Sequence, residues 1–414
     1  MIVYKFGGIS LATPEAVKHV AKVIRDYPAE IVVVSAMEKM TNAFEALVEA
    51  HMRNLPEKQE NLNHILEFHQ NMSEKLFLDN NKEARGEVNA MLEELKEKLE
   101  KPGFVNYRKT YDQIVPFGEL LSSLMVSHFL RQEGIENKLL DARKWLHTDD
   151  RYAEANVDSK KSQQTLAGML SDKMLNITQG FIGGNSEGFS TTLGREGSDY
   201  TAALIAQLTA AASVTIWKDV PGLLNADPNH FDAPVLLQHI SYKEAVELAF
   251  YGAKVIHPKT IKPLQNQRIP LYVKPFKNPE SAGSVIDNQT TWDEEITSFI
   301  LKKHQMLLTL RTKDFSFMAE DHLHDIYGQF KYFGLKANLM QHSAITLSVC
   351  IDQDNETLGS LLGALAIDFD IRYNKNLDLV TLRHYNEAAI RKVTKDRVIM
   401  LEQRSRVTAQ VVLK

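Results

Sequence analysis

Cysteine is almost missing from this chain. Cys350 is the only one in 414 residues, so no intrachain disulfide and no cysteine-pair zinc site can form. It lies in the alternating run AITLSVCID, which predicts a buried strand position over a nucleophile. The fourteen histidines include no HExxH and no clustered ligand spacing, so no metal site built from side chains is expected. Excess positive charge is missing too. Forty-eight Lys and Arg against 53 Asp and Glu leave a net charge of −5, which argues against nucleic acid or an anionic membrane as partner. No run is apolar enough to span a bilayer. The nearest, YTAALIAQLTAAASVTIW, carries Gln207 and several threonines and reads as a helix running into a strand. The N-terminus MIVYKFGG lacks the layout of a signal peptide, so a cytoplasmic location is expected. Neither GxxxxGK[ST] nor a GxGxxG after the first strand is present. Nucleotide binding would therefore need a different phosphate cradle.

Hydrophobic patterning divides the chain in two. From Met1 to about Gly283, strand-like runs alternate with helical ones. IVYKF opens the series, Thr13 and Pro14 look like an N-cap and first helical residue, and IVVVSA reads as a strand covered on both faces. NKLLDA, LNITQGF, SVTIWKDV and LYVKPF continue the rhythm, and Ser241 with Glu244 suggests a capping box. This predicts a three-layer α/β domain with a mainly parallel sheet over 1–290, with 57–101 as an inserted helical arm whose charge spacing favours exposure. After about Thr291 short alternating strands with two helices between them predict α+β modules of ferredoxin-like type over 291–414.

Glycine is concentrated in one place. Six of the twenty fall between Gly180 and Gly197, followed by Ser198, Asp199 and an alanine-rich helical run. A glycine loop ending in Arg195, Ser198 and Asp199 at a helix N-terminus suits a charged ligand. Lys5 closes the first strand just before Gly7-Gly8, where an open α/β sheet faces its ligand crevice; alone it could equally be a surface lysine beside a tight turn. Asp219 follows a core strand and could hold a ribose or cap the turn DVPG. Lys254, after the helix ending at Tyr251-Gly252, could reach phosphates or complement a helix C-terminus. Glu119, in the first turn of a helix, could answer the helix dipole or accept an ammonium group. An anion-gripping Arg195 with a cation-accepting Glu119 would define an amino-acid site.

Taken in order, KFGGIS, VVVSA with Met40-Thr41-Asn42, FGE at Phe117–Glu119, GFIGG, TTLGREGSDYTAA, IWKDVPG and ELAFYGAKVIHP resemble the aspartokinases of the amino-acid kinase family. The resemblance covers the whole first domain, and the tail resembles paired ACT modules, the second shortened by about a helix and a strand. It implies an amino-acid kinase fold and transfer of the ATP γ-phosphoryl group to the β-carboxylate of L-aspartate, with Mg2+ carried by the ATP phosphates. That reaction gives 4-phospho-L-aspartate, the first step toward lysine, threonine and methionine. Lys5 and Lys254 would then neutralise the transferring phosphoryl group and Asp199 would orient them. Ser35, Thr41, Glu119, Arg195 and Ser198 would hold aspartate. Gly7, Gly8 and Ser10 would cradle phosphate, and Lys218, Asp219 and Val255 would contact the nucleotide. The resemblance further implies a homodimer through the ACT-like modules and an effector, lysine or threonine, bound there.

The chain departs from the family pattern at several points. Ile9 stands in place of a threonine and Lys218 in place of a frequent threonine. Glu196 stands where glycine is common and is expected to have ordinary backbone angles. Leu224 and Asn229 replace common nucleotide-contacting residues, and Ala344 replaces a polar one in the tail. The sequence ends at Lys414, so no fused homoserine dehydrogenase is expected. Two other readings stay open at this level: a silent amino-acid-binding regulator, and a kinase of another small carboxylate.

Overall fold

The computed structural model describes residues 1–77, 81–101, 104–253 and 256–414; Lys254 and Val255 lie outside the described residues. The chain divides into two compact units, Met1–Leu223 with Gln238–Tyr242 and Ile256–Asn288, and Leu224–Leu237 with Lys243–Val255 and Gln289–Lys414.

The first unit is built on an eight-stranded sheet: β1 (Ile2–Phe6), β2 (Ile31–Val34), β3 (Asn137–Leu140), β4 (Leu175–Gln179), β5 (Ser213–Lys218), β6 (His239–Ser241), β7 (Leu271–Pro275) and β8 (Ser284–Asp287). Their order is β6-β8-β7-β5-β1-β2-β4-β3, and only the β7–β8 pair is antiparallel. All four residues of β2 are buried, because helices cover both faces of a parallel sheet. Helix α1 (Pro14–Asp26) starts as its sequence predicts: the Thr13 hydroxyl accepts the Ala16 amide, Pro14 takes the first turn, and Val17, Val20, Ala21, Val23 and Ile24 are buried.

Next come α2 (Met40–Met52), α3 (Lys58–Leu76), α4 (Lys82–Glu100), α5 (Tyr107–Ile114) and α6 (Phe117–Gln132). The charge pattern of 57–101 predicts exposure, yet α4 buries Ala84, Val88, Leu92, Leu95 and Leu99 along one stripe. The charged residues occupy only its outer face, as amphipathic helices arrange them. Helix α6 is buried on nearly every side from Phe117 to Leu130. Two of its interior serines are bonded across the fold, Ser127 donating to Asn137 (2.6 Å) and Ser123 accepting from Gln179 (2.6 Å).

Helix α7 (Gly197–Thr209) follows the glycine-rich loop; α8 (Tyr242–Tyr251) and α9 (Pro258–Gln267) come later in the chain. The second unit is a six-stranded antiparallel sheet of β9 (Ser298–Thr312), β10 (Ala337–His342), β11 (Thr346–Asp352), β12 (Phe369–Arg383), β13 (Ile399–Arg404) and β14 (Thr408–Leu413), in the order β10-β11-β9-β12-β14-β13. Strands β9 and β12 pair along their length, with register breaks between Lys302 and Leu307. The sheet thus has an inner half, with α10 (Glu320–Tyr332) and α11 (Leu358–Leu365) over Met306, Leu308, Leu310 and Val349. Its outer half has α12 (Glu387–Thr394), whose Ala389 and Ile390 cluster with Val380, Leu382 and Val411 of the sheet. Cys350 on β11 is fully buried, and burial pushes its thiol up to about 12, which removes it as a nucleophile.

Arg383 at the end of β12 is also buried. It donates to both carboxylate oxygens of Glu244 on α8 (3.1 and 2.6 Å) and to Thr408 (2.6 Å), and His384 Nε2 lies 3.0 Å from the same carboxylate. The sequence predicts a local capping box for Glu244; the contact its carboxylate makes here is this long-range pair.

Candidate active site

A cavity of about 690 Å³ opens at the carboxyl ends of β1, β2 and β5, where an open α/β sheet places its ligands. Twelve of the fourteen residues singled out from the sequence line it; Lys254 and Val255 fall outside the described residues.

The charged centre comes from three elements. Lys5 Nζ on β1 lies 2.7 Å from Asp199 Oδ1, and Lys218 Nζ at the end of β5 lies 3.7 Å from Asp199 Oδ2. Asp199 is buried in the first turn of α7, where the helix dipole favours a carboxylate. Burial opposes its ionisation, but the ammonium groups of Lys5 and Lys218 outweigh that and hold its carboxyl below the usual range.

The floor is made by the turn after β1. Ser10 N donates to Gly7 O (3.0 Å), and a Cβ on Gly8 would stand 2.4 Å from Glu38 O and 2.9 Å from Ala36 O. Only glycine fits there. Ser10 is buried in the turn while Ile9, in the position of the usual threonine, is exposed at the rim. Gly180 is equally constrained from the other side, since its Cβ would meet Ser198 Cβ at 2.5 Å. That close approach seats the first turn of α7 directly against the end of β4.

Glu119 lies in the first turn of α6 and is 2 % exposed. The Ala36 amide donates to its Oε1 (3.2 Å), and Oε2 has no hydrogen-bond partner among the described residues. Burial pushes its carboxyl up to about 8, against the opposing pull of the Ala36 amide and the Lys5 charge. Ser35 and Thr41 are half-buried in the same wall, Ser198 is buried, and Arg195 and Asp219 are exposed at the mouth.

Glu196 corrects the expectation of ordinary backbone angles. It adopts φ 53° and ψ 28°, the left-handed region, which explains why glycine suits this position. Its Oε2 accepts the amide of His257 (2.9 Å), the N-cap of α9. A strained non-glycine residue therefore ties the glycine-rich loop to the segment that follows Val255.

Several lining residues escaped sequence reasoning. Tyr111 donates to Glu45 Oε1 (2.8 Å), and both border the cavity, as do Tyr107, Arg108 and Trp217. Beneath them Asp112 is fully buried and accepts from the amides of Ala153 (3.0 Å) and Thr192 (2.9 Å) and from the Thr192 hydroxyl (2.7 Å). It pins α5 to the loop at Ala153 and to the glycine-bearing segment at Thr192. No local pattern marks it; the segment YRKTYDQIVPFGE reads only as an amphipathic lead-in to Glu119.

A mostly parallel α/β sheet whose strand ends gather two lysines, a buried aspartate and a glycine turn defines a small-molecule phosphotransferase. The amino acid kinase family model matches residues 1–275. Lysine-sensitive aspartokinase 3 of Escherichia coli strain K12 is 32% identical over 361 residues, covering 86% of this chain and 79% of that protein. The crystal structures of E. coli aspartokinase III with aspartate and ADP, and with lysine and aspartate, each superpose with a TM-score of 0.82 at 29% identity. They match 100% of this chain and 96% and 95% of theirs, respectively. The chain belongs to the amino acid kinase family and, within it, to the aspartokinases.

Proposed function

We propose that this cleft transfers the γ-phosphoryl group of ATP to the β-carboxylate of L-aspartate, giving 4-phospho-L-aspartate and ADP. The observation that carries the reading is the pair of ammonium groups on one buried carboxylate, Lys5 and Lys218 on Asp199, beside a buried glutamate with an unpartnered oxygen. Phosphoryl transfer asks the protein mainly for position and charge stabilisation. Lys5, released from Asp199 toward the phosphate, meets the charge that builds on the transferring group, and Lys254 is assigned the same task. The amides of Gly7 and Gly8 and the Ser10 turn cradle phosphate, while Asp219 and Val255 serve the nucleoside side.

Aspartate binds by its two charged ends. Glu119 takes the α-ammonium, Arg195 the α-carboxylate, and Ser35, Thr41 and Ser198 orient the chain. The reacting β-carboxylate is ionised at neutral pH, so no general base is needed. Both oxygens of Asp199 face ammonium groups, which suits Mg2+ arriving on the ATP phosphates, where it neutralises charge.

The E. coli relative was crystallised with lysine. By that likeness we assign an amino-acid effector, lysine or threonine, to the C-terminal α+β unit, and a homodimer paired through the sheet edges. Among the described residues no helix is long and apolar enough to cross a membrane; a cytoplasmic location is part of this proposal.

Incubation with Mg-ATP and aspartate, with hydroxylamine to trap the acyl phosphate, tests the reading. Aspartyl hydroxamate is expected from the native protein and not from Lys5→Ala. Its absence from the native protein, with or without lysine and threonine, overturns the proposal.

A further inference from the structure

We propose that Lys109 is a positioning residue for aspartate binding: its ammonium group, boxed by three aromatic rings, holds helix α5 against the loop that carries Arg195. The inference rests on the aspartate-binding reading of the cleft and adds what sets the spacing of its wall.

Helix α5 has two working faces. Tyr107, Arg108 and Tyr111 line the cavity. Lys109, Asp112 and Gln113 follow the i, i+3, i+4 spacing of a second stripe, and each of them reaches a part of the chain distant in sequence. Lys109 Nζ lies 3.7 Å from the ring centroid of Phe189, 4.6 Å from that of Phe104 and 5.4 Å from that of Tyr152. The Phe104 and Phe189 rings meet edge to face, their centroids 5.6 Å apart. Asp112 accepts from Ala153 and Thr192. Gln113 donates to Ser190 O (2.9 Å) and accepts from the Ser190 amide (3.3 Å).

The far side of these contacts leads to Arg195. Tyr152 precedes Ala153 and Glu154, which line the cavity and pack on Gly194. A Cβ on Gly194 would stand 3.3 Å from both Ala153 O and Glu154 Cγ. Phe189 leads into the short strand Ser190–Thr192, and the chain then runs through Leu193 and Gly194 to Arg195. The box therefore joins the helix that forms one wall of the cleft to both segments that seat the aspartate-gripping arginine. It does so at the residue next to Arg108, in the first turn of α5. Ring faces attract an ammonium group electrostatically, which a neutral side chain of the same length does not reproduce. A looser box lets that turn move away from the Arg195 loop and widens the end of the cleft where aspartate is held. The phosphate cradle hangs from β1 and its turn, outside these contacts.

Steady-state kinetics of the whole protein, varying aspartate and Mg-ATP separately, test this. Lys109→Met keeps the length and removes the charge; Phe189→Leu keeps the charge and removes the nearest ring. Both residues are half-buried, so neither change empties the core. Each variant should raise KM for aspartate about fivefold, the size of a lost cation–π contact, with kcat and KM for Mg-ATP within about twofold of the native values. Lys109→Arg should restore the native KM for aspartate, and the double variant should be no worse than either single one. A rise confined to one of the two variants would overturn the proposal: with Lys109→Met alone the charge merely attracts aspartate, and with Phe189→Leu alone the ring merely packs. An unchanged KM for aspartate in both variants, or an equal rise for both substrates, would overturn it as well. A native protein without aspartate-dependent ADP release removes the reading of the cleft and this inference with it; an active native enzyme with any of the overturning patterns loses the inference alone.

Discussion

Acidifying the assay from pH 8 to pH 6 should cripple aspartate capture through one residue, Glu119. Its carboxyl is pushed up to about 8 from the ordinary 4.5, chiefly by burial, so at neutral pH it is mostly protonated. An α-ammonium needs it ionised. Each pH unit below about 8 therefore costs about 1.4 kcal/mol, a factor of ten in affinity. At saturating Mg-ATP, kcat/KM for aspartate should rise about tenfold per pH unit between 6 and 8 and then level. At pH 7 aspartate binding should release about one proton per site, read as a dependence of the calorimetric heat on the buffer's ionisation enthalpy.

Stability should move the opposite way in the ligand-free protein. A raised folded-state value stabilises below the ordinary 4.5, and that contribution is lost as pH rises through about 8. The full gap amounts to about 5 kcal/mol. Glu119→Gln should remove both dependences, binding aspartate weakly at every pH while unfolding at higher urea than the native protein at pH 8. A flat kcat/KM profile between pH 6 and 8, with no proton released, would refute the reasoning.

Three further outcomes follow from contacts described above. Glu196→Gly should be more stable than Glu196→Ala by about 1 kcal/mol in urea unfolding, because both lose the His257 contact but only glycine relieves the left-handed backbone. Asp112→Ala should lose about 3 kcal/mol by the same measurement, since two buried donors of Thr192 and the part-buried amide of Ala153 are left without this acceptor. Glu244→Ala should lose about 3–5 kcal/mol of unfolding free energy in the C-terminal unit by stranding the buried guanidinium of Arg383, whereas a smaller loss would mean that Glu247, 3.5 Å away, takes over the pairing.

What could be read in advance was whatever chemistry is local. Four successive β-branched residues at Ile31–Val34 announced a strand buried on both faces, and Thr13-Pro14 announced a helix start. The clustered glycines and the motif residues around them led to the cavity wall because each sits beside its own turn. Partners distant in sequence were not legible. That Lys218 would share Asp199 with Lys5 depends on the parallel register of β1 and β5, and the Arg383–Glu244 pair joins residues 139 positions apart. Glu196 shows a limit of another kind. Sequence statistics favour ordinary angles for glutamate, whereas here the residue takes the left-handed turn while its carboxylate holds the His257 amide 61 positions away. The leucine stripe of α4 was hidden by the charge pattern of the face it turns outward.

The nesting of the C-terminal sheet has a kinetic consequence. Strand pairing in the outer half joins residues such as Leu301 and Val380, about 80 residues apart, and closing so long a loop from a disordered chain is entropically slow. The inner half lies wholly between them, so its collapse delivers both ends of that loop to neighbouring positions. Assembly should therefore proceed from the inside outward. A lesion in the inner core should delay formation of the outer ladder, while a lesion near Val411 should leave inner-half folding at its native rate.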